Sequence, residues 1–167
     1  MPAAYLSLVL HAHLPYIRQP GTTASFEERW LFEAVAQCYL PLLRVFEGLA
    51  RDGIRIRIAM SISPTLAEML ADPLLMDRCA RHLDALADLA AREVVRTRAD
   101  ARFHRLATAH REAFVALAAD FETRGRRLLP AFAALRDGGL LDLVTTAATH
   151  GHLPLLGAVP SDRKSVV

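Results

Sequence analysis

The stretch from Leu6 to Pro15, LSLVLHAHLP, constrains the fold of this chain more than any other. Its first half is apolar, as in a strand whose alternate side chains point to opposite faces of a sheet. His11 and His13 follow at i and i+2, so the strand delivers both to one side. Pro15 cannot donate to a ladder, so the histidines lie where the strand ends. In barrels and open α/β sheets, ligands bind at that carboxyl end.

The same pattern occurs a second time, in DLVTTAATHGHLP from Asp142 to Pro154. This β-branched run also ends in H-x-H-L-P, with His150 and His152 in place of the first pair. The repeat predicts a second strand with a similar polar tip, and therefore one shared site. The alternative interpretation is that each histidine caps a strand or satisfies a buried hydrogen bond.

Helical patterns separate these two strands. Ser25 opens a helix with Glu27 and Glu28 in its first turn, and its apolar stripe runs to about Gly48 with a kink at Pro41.

The run from Ile54 to Ser63 alternates as a second strand, with the arginines at its start exposed, and Ser63-Pro64-Thr65 caps a short helix over 66–70. From about 73 to 137 the spacing predicts an antiparallel helical hairpin with a break near 97–100, then a helix over 126–136 that stops at Gly138-Gly139. The apolar stripe of the second hairpin helix would include Phe103 and Leu106.

Strands separated by helices imply parallel neighbours and an α/β fold. The chain has 167 residues, whereas a complete (β/α)8 barrel needs about 250. We therefore expect the N-terminal part of a barrel, interrupted by the helical hairpin.

Composition excludes several classes of protein. Hydrophobic residues make up 53% and charged residues 23%, so the chain can bury a core. Its net charge of +2 comes from mixed charges without a basic stripe, which argues against a nucleic-acid surface. The sequence predicts no signal peptide and no membrane span. Cys38 and Cys79 lie far apart in helical patterns, which favours core thiols in a reducing compartment over a disulfide or a metal site.

Two kinds of chemistry fit the histidine pairs. They could hold a divalent metal that activates water, although no acidic residue lies at a strand end to complete such a site. Alternatively, histidines and Trp30, the single tryptophan, could bind a sugar while two carboxylates carry out the reaction.

Five segments, taken together, resemble glycoside hydrolase family 57, and most closely its 1,4-α-glucan branching enzymes. They are LVLHAHLPY at 8–16, EERWLFEA at 27–34, LPLL at 40–43, SISPTLAEML at 61–70 and ATHGHLPLL at 148–156. The resemblance implies an incomplete (β/α)7 barrel over 1–157, with the helical insertion at about 73–137. It also implies a cytoplasmic enzyme that acts on α-glucans such as amylose, glycogen or maltooligosaccharides, with neither a metal nor another cofactor.

By resemblance, His11 and His13 match the first motif of the family and contact the sugar beside the scissile bond. Trp30 matches an aromatic residue that stacks on the glucan, and His150 matches the histidine of the second motif. No role carries over to His152, because the family often has an aromatic residue there.

The catalytic residues of the family are a glutamate in a W-L-P-E-C-like motif and a later aspartate, and neither motif occurs in this sequence. We therefore expect an N-terminal fragment that is inactive alone. Residues 158–167 depart from the family pattern and resemble a non-native or disordered tail. An α-amylase or 4-α-glucanotransferase of the same family, a metal-dependent hydrolase and a non-enzymatic sugar-binding module remain alternatives. Oligomeric state stays open.

Overall fold

The computed structural model describes residues 4, 6–21 and 25–158 of the chain. Its elements, in chain order, are β1 (Val9–Ala12), α1 (Glu28–Ala34), a π-helical turn (Val35–Tyr39), α2 (Leu40–Arg51), β2 (Ile58–Ile62), α3 (Pro64–Ala71), α4 (Pro73–Arg96), α5 (Ala101–Thr123), α6 (Leu129–Asp137), β3 (Leu141–Val144) and α7 (Leu153–Ala158). All but the first residue of the predicted tail, 158–167, lies outside the described residues. Within them, no helix is long and apolar enough to cross a bilayer.

The chain divides into two compact units. The first comprises 1–17, 46–71 and 129–167, and the second comprises 18–45 and 72–128. The first unit contains a parallel sheet in the order β1-β2-β3. His11 pairs in register with Ser61, and Ser61 with Val144, so β2 is the central strand. The parallel pairing confirms the predicted α/β class.

Strand β2 begins later than the alternating pattern predicts, at Ile58 instead of Ile54. The Ile54 N–H donates to the Leu49 carbonyl and closes the end of α2, so it is not available to a ladder. Arg57, just before the strand, is exposed as predicted and pairs with Asp142 at 2.7 Å.

The predicted second strand ending in histidines is wrong in its extent. Strand β3 ends at Val144, and His150 and His152 lie in the segment that follows it. The hydroxyls of Thr145 and Thr146 donate to the carbonyls of the residues directly after them. Such local bonds compete with a ladder, so the β-branched run leaves the sheet early.

The second unit begins with α1 and the π-helical turn. The Leu40 N–H donates to the Val35 carbonyl, five residues back, and Pro41 follows directly. Proline clashes with the carbonyl four residues before it, and a widened turn relieves that clash. The irregularity predicted at Pro41 therefore takes the form of a π turn.

Helices α4 and α5 form the predicted hairpin, and their N-caps, Asp72 and Asp100, each accept two backbone N–H bonds. The predicted stripe on α5 is wrong in its first half, because Phe103 and Leu106 are 61% and 55% exposed. Two helices cover only the faces along which they meet. Phe103 and Leu106 instead line an apolar groove of about 310 Å³ between the helices.

Helix α6 begins three residues later than predicted, at Leu129. Gly125 and Arg126 both adopt left-handed backbone, with φ of 61° and 60°, so the helix cannot start there. It ends where predicted. Gly139 takes φ of 77°, a conformation that glycine adopts without strain.

Candidate functional site

His11, in β1, and His13, directly after it, lie side by side at the carboxyl end of the strand. Their ring centroids are 6.1 Å apart and the rings are nearly parallel, with 21° between their planes. His11 is exposed and His13 is half-buried. This arrangement confirms that the i, i+2 spacing brings the pair to one side of the sheet.

His150 joins them from the segment after β3. Its ring centroid lies 4.7 Å from that of His11 and 4.0 Å from that of His13, and its Nε2 is 3.2 Å from the His11 Nε2. The backbone of His150 has φ of 59°, a left-handed conformation in which asparagine, aspartate and histidine are enriched among residues other than glycine. The predicted meeting of the two histidine motifs is therefore correct, although a turn, and not a strand, presents His150.

Ser61, in β2, and Ser63, directly after it, support the rings of His11 and His13, and sequence reasoning missed both serines. Ser61 Oγ lies 2.5 Å from His11 Nδ1, and Ser63 Oγ lies 2.9 Å from His13 Nδ1. The signal was present in the sequence: S-x-S ends β2 as H-x-H ends β1. Partners in a parallel register project to the same face, so these side chains meet.

Burial and neighbouring charge act together on His13. Desolvation, followed by the proximity of His150 and His11, lowers the pKa of His13 below its ordinary value. A neutral imidazole offers one donor and one acceptor, which suits the hydroxyl groups of a sugar. Among the described residues, these histidines make no recorded hydrogen bond to a carboxylate. The cluster can therefore bind polar groups but cannot supply a carboxyl acid and nucleophile.

Trp30 lies in the second unit, in the first turn of α1. Its side chain is 45% exposed and meets Phe26 edge to face, with centroids 6.4 Å apart. A partly exposed indole beside a second aromatic ring can stack on an apolar ligand face.

A buried ion pair anchors the start of the helix that carries Trp30. The Glu28 and Arg78 side chains are 0% and 1% exposed, with Arg78 Nη1 2.6 Å from Glu28 Oε1. Glu28 also accepts bonds from the Gln19 and Ser25 N–H groups, while Ser25 Oγ accepts from the Glu28 N–H. Arg78 also donates to the carbonyl of Gly21. Glu28 lies in the first turn of its helix, as predicted, but its burial and its pairing with Arg78 were not predicted.

The two cysteines differ in environment. Burial raises the pKa of the Cys79 thiol to about 12, as expected for a core thiol. Cys38 is exposed, so the prediction that it belongs to the core is wrong. The backbone of the widened π turn contains Cys38, and a helical stripe with normal spacing no longer holds there. Among the described residues, no group of three or more His, Cys, Asp or Glu side chains is arranged to hold a metal ion.

Solved structures resemble this chain over 92% of its length. The α-amylase AmyC of Thermotoga maritima is 38% identical with a TM-score of 0.86, and the family 57 branching enzyme of Pyrococcus horikoshii is 34% identical with a TM-score of 0.84. The chain spans 29% and 28% of those two chains, respectively.

The 1,4-α-glucan branching enzyme of Thermococcus kodakarensis is 31% identical over 154 residues, which are 92% of this chain and 22% of that enzyme. Its structure, a complex with glucose and additives, superimposes with a TM-score of 0.82. The family model for glycosyl hydrolase family 57 matches residues 7–166. The chain therefore belongs to glycosyl hydrolase family 57.

Proposed function

We propose that this chain is the N-terminal part of an α-glucan branching enzyme, which transfers α-1,4-glucan chains to form α-1,6 branches with retention. Family membership and the similarity to two branching enzymes support this assignment. The observation that carries it is the open cluster of His11, His13 and His150, at the end of the sheet where α/β enzymes bind ligands.

In this proposal the three histidines form the sugar-binding cluster of the first unit. Trp30 is proposed separately, within the second unit, as a residue that stacks on a glucan. Because Ser63 occupies the Nδ1 of His13, the Nε2 of that ring is the nitrogen left for a ligand hydroxyl. The exposed edges of His11 and His150 leave room for a ligand. Trp30, at 45% exposure, has a free surface for an apolar sugar face.

A retaining mechanism needs two carboxyl groups about 5 Å apart across the scissile bond. We assign both to residues outside this sequence, so no catalytic residue is proposed within the chain. The sheet fits the start of a larger one, because Val9 on β1 and Val144 on β3 are 70% and 49% exposed. Such apolar edge strands favour pairing with further strands. We propose that 1–157 forms part of a (β/α)7 barrel, with 73–137 inserted as helices.

Binding to the chain itself is the first test. We expect maltoheptaose to shift the ring resonances of His11, His13 and His150 in a ¹⁵N-histidine-labelled sample. His11→Ala should abolish these shifts. His152→Ala is the matched control, because His152 is exposed in the same segment as His150. No binding, or equal binding by both variants, contradicts the proposed sugar site.

A chimaera tests the reaction. This chain replaces the matching N-terminal segment of the Thermococcus kodakarensis branching enzyme, and the products are counted as α-1,6 branches and as new reducing ends. New branches that disappear with His13→Ala support branching. The similarity to AmyC makes α-amylase activity the second candidate. A parallel chimaera with AmyC that is much more active than the first would favour hydrolysis.

A further inference from the structure

A chain of hydroxyl groups lies behind His13. Ser63 Oγ is within hydrogen-bonding distance of three groups: His13 Nδ1 at 2.9 Å, Thr65 Oγ1 at 3.1 Å and the Leu66 N–H at 3.4 Å. Thr65 Oγ1 in turn lies 3.1 Å from the carbonyl oxygen of Leu14. This series of hydrogen bonds therefore starts at His13 and ends at the backbone of the residue that follows it.

Counting the available protons fixes which group donates in each of these hydrogen bonds. A carbonyl only accepts, so the single hydroxyl proton of Thr65 goes to Leu14. Ser63 must then donate its own proton to Thr65. The Leu66 N–H already donates to Ser63 Oγ. Ser63 has no proton left for His13, so their contact requires the Nδ1–H of His13 to donate to Ser63.

We propose that Ser63 and Thr65 are positioning residues that hold His13 as its Nδ1–H tautomer and leave Nε2 bare as a hydrogen-bond acceptor. The lowered pKa of His13 keeps the ring neutral, so the choice of tautomer matters at neutral pH. A bare Nε2 accepts a hydrogen bond from a hydroxyl group and rejects a ligand that offers only acceptors. This step rests on the proposed function in naming a glucan hydroxyl as the donor.

His11 provides an internal comparison. Its Nδ1 contacts Ser61 Oγ, but among the described residues no second hydroxyl is recorded on Ser61. Ser61 can donate or accept, so the tautomer of His11 follows its contact with His150. A change at Thr65 should therefore alter His13 and leave His11 as it was.

The test is ¹⁵N NMR of the whole chain labelled at its histidine rings, with the His13 signals assigned through His13→Gln. Protonated and bare ring nitrogens resonate far apart, so the spectrum reads the tautomer directly. In the unsubstituted chain we expect a protonated Nδ1 and a bare Nε2 on His13. Thr65→Val removes the acceptor of the Ser63 proton, which then turns to His13 Nδ1, so the two signals exchange character. Thr65→Ser retains the hydroxyl and should retain the original pattern.

Three results would overturn the proposal: a bare Nδ1 in the unsubstituted chain, an unchanged His13 in folded Thr65→Val, or a Thr65→Ser variant that behaves as Thr65→Val does. The first of these results is measured on the unsubstituted chain, so the proposal can be tested even if the variants misfold. Maltoheptaose separates it from the proposed function. If the Nδ1–H tautomer is found and the sugar leaves the His13 Nε2 signal unmoved, the hydroxyl chain stands and the sugar-binding assignment fails.

Discussion

Two polar clusters in this chain are built on opposite principles. In the first unit, His11 and His150 are exposed and His13 is half-buried, and the rings of His11 and His13 rest on serine hydroxyls. In the second unit, Glu28 and Arg78 bury full charges against each other. One cluster is open and includes hydrogen bonds to serine hydroxyls, whereas the other is closed and ionic.

This difference in burial predicts which cluster determines ligand binding and which determines the stability of the fold. An exposed imidazole ring can exchange its water for a ligand hydroxyl at little cost. A buried charge cannot exchange its partner, because removing one member leaves the other desolvated and unpaired. We therefore expect substitutions in the ion pair to change stability, and substitutions in the histidine cluster to change binding.

Arg78→Met should have the largest effect. The buried Glu28 carboxylate loses its counter-charge, and the free energy of unfolding should fall by about 3–5 kcal/mol. The measurement is urea denaturation of the whole chain at pH near 7.

Arg18→Met is the matched control, because Arg18 also lies 2.6 Å from a carboxylate oxygen, that of Asp72, but its side chain is 36% exposed. An exposed pair of this kind contributes about 0–1 kcal/mol. Equal losses in the two variants would show that burial does not distinguish these pairs.

The pH dependence of stability sharpens the comparison, since each unit contains a histidine with a lowered pKa. For His13 the first cause is desolvation, and for His82 it is again desolvation, with Arg29 adding to it. The unfolded chain therefore binds more protons near pH 6 than the folded chain does. The contribution of these two rings to the free energy of unfolding is fully present above the ordinary histidine pKa of about 6.5. It falls as the pH drops toward their lower pKa values in the folded chain.

His13→Gln and His82→Gln should each flatten this decline between about pH 7.5 and about pH 5.5. The effect of each is at most about 1.4 kcal/mol per pH unit, the limit for one proton. Denaturation curves at several pH values measure it. A slope unchanged in both variants would mean that neither ring is held neutral by the fold.

His150→Asn should have the smallest effect on stability, within about 0.5 kcal/mol, because the side chain is exposed. Asparagine also tolerates the left-handed backbone at this position. Maltoheptaose binding should nevertheless be lost. Thermal denaturation and calorimetric titration on one sample measure both, and a destabilised variant that still binds would reverse the assignment of this cluster.

Local sequence patterns predicted the parts of the site that depend on local geometry. The i, i+2 spacing of His11 and His13 is enough to bring them together on a strand, and the capping sequence at Ser63 does start a helix. The same reasoning predicted a strand that continues into the second histidine motif, whereas β3 ends at Val144. His150 reaches the cluster from a turn with φ of 59°, and a run of β-branched residues does not reveal where a strand leaves its sheet.

The sequence by itself determined the parallel α/β class, the family, the helical hairpin and three histidines of the candidate site. Only the tertiary structure decided that Ser61 and Ser63 support His11 and His13, and that a buried ion pair forms inside the second unit. These contacts join residues about fifty positions apart. Their existence depends on strand register and helix packing, which follow from the balance of buried surface over each whole unit and not from any local pattern.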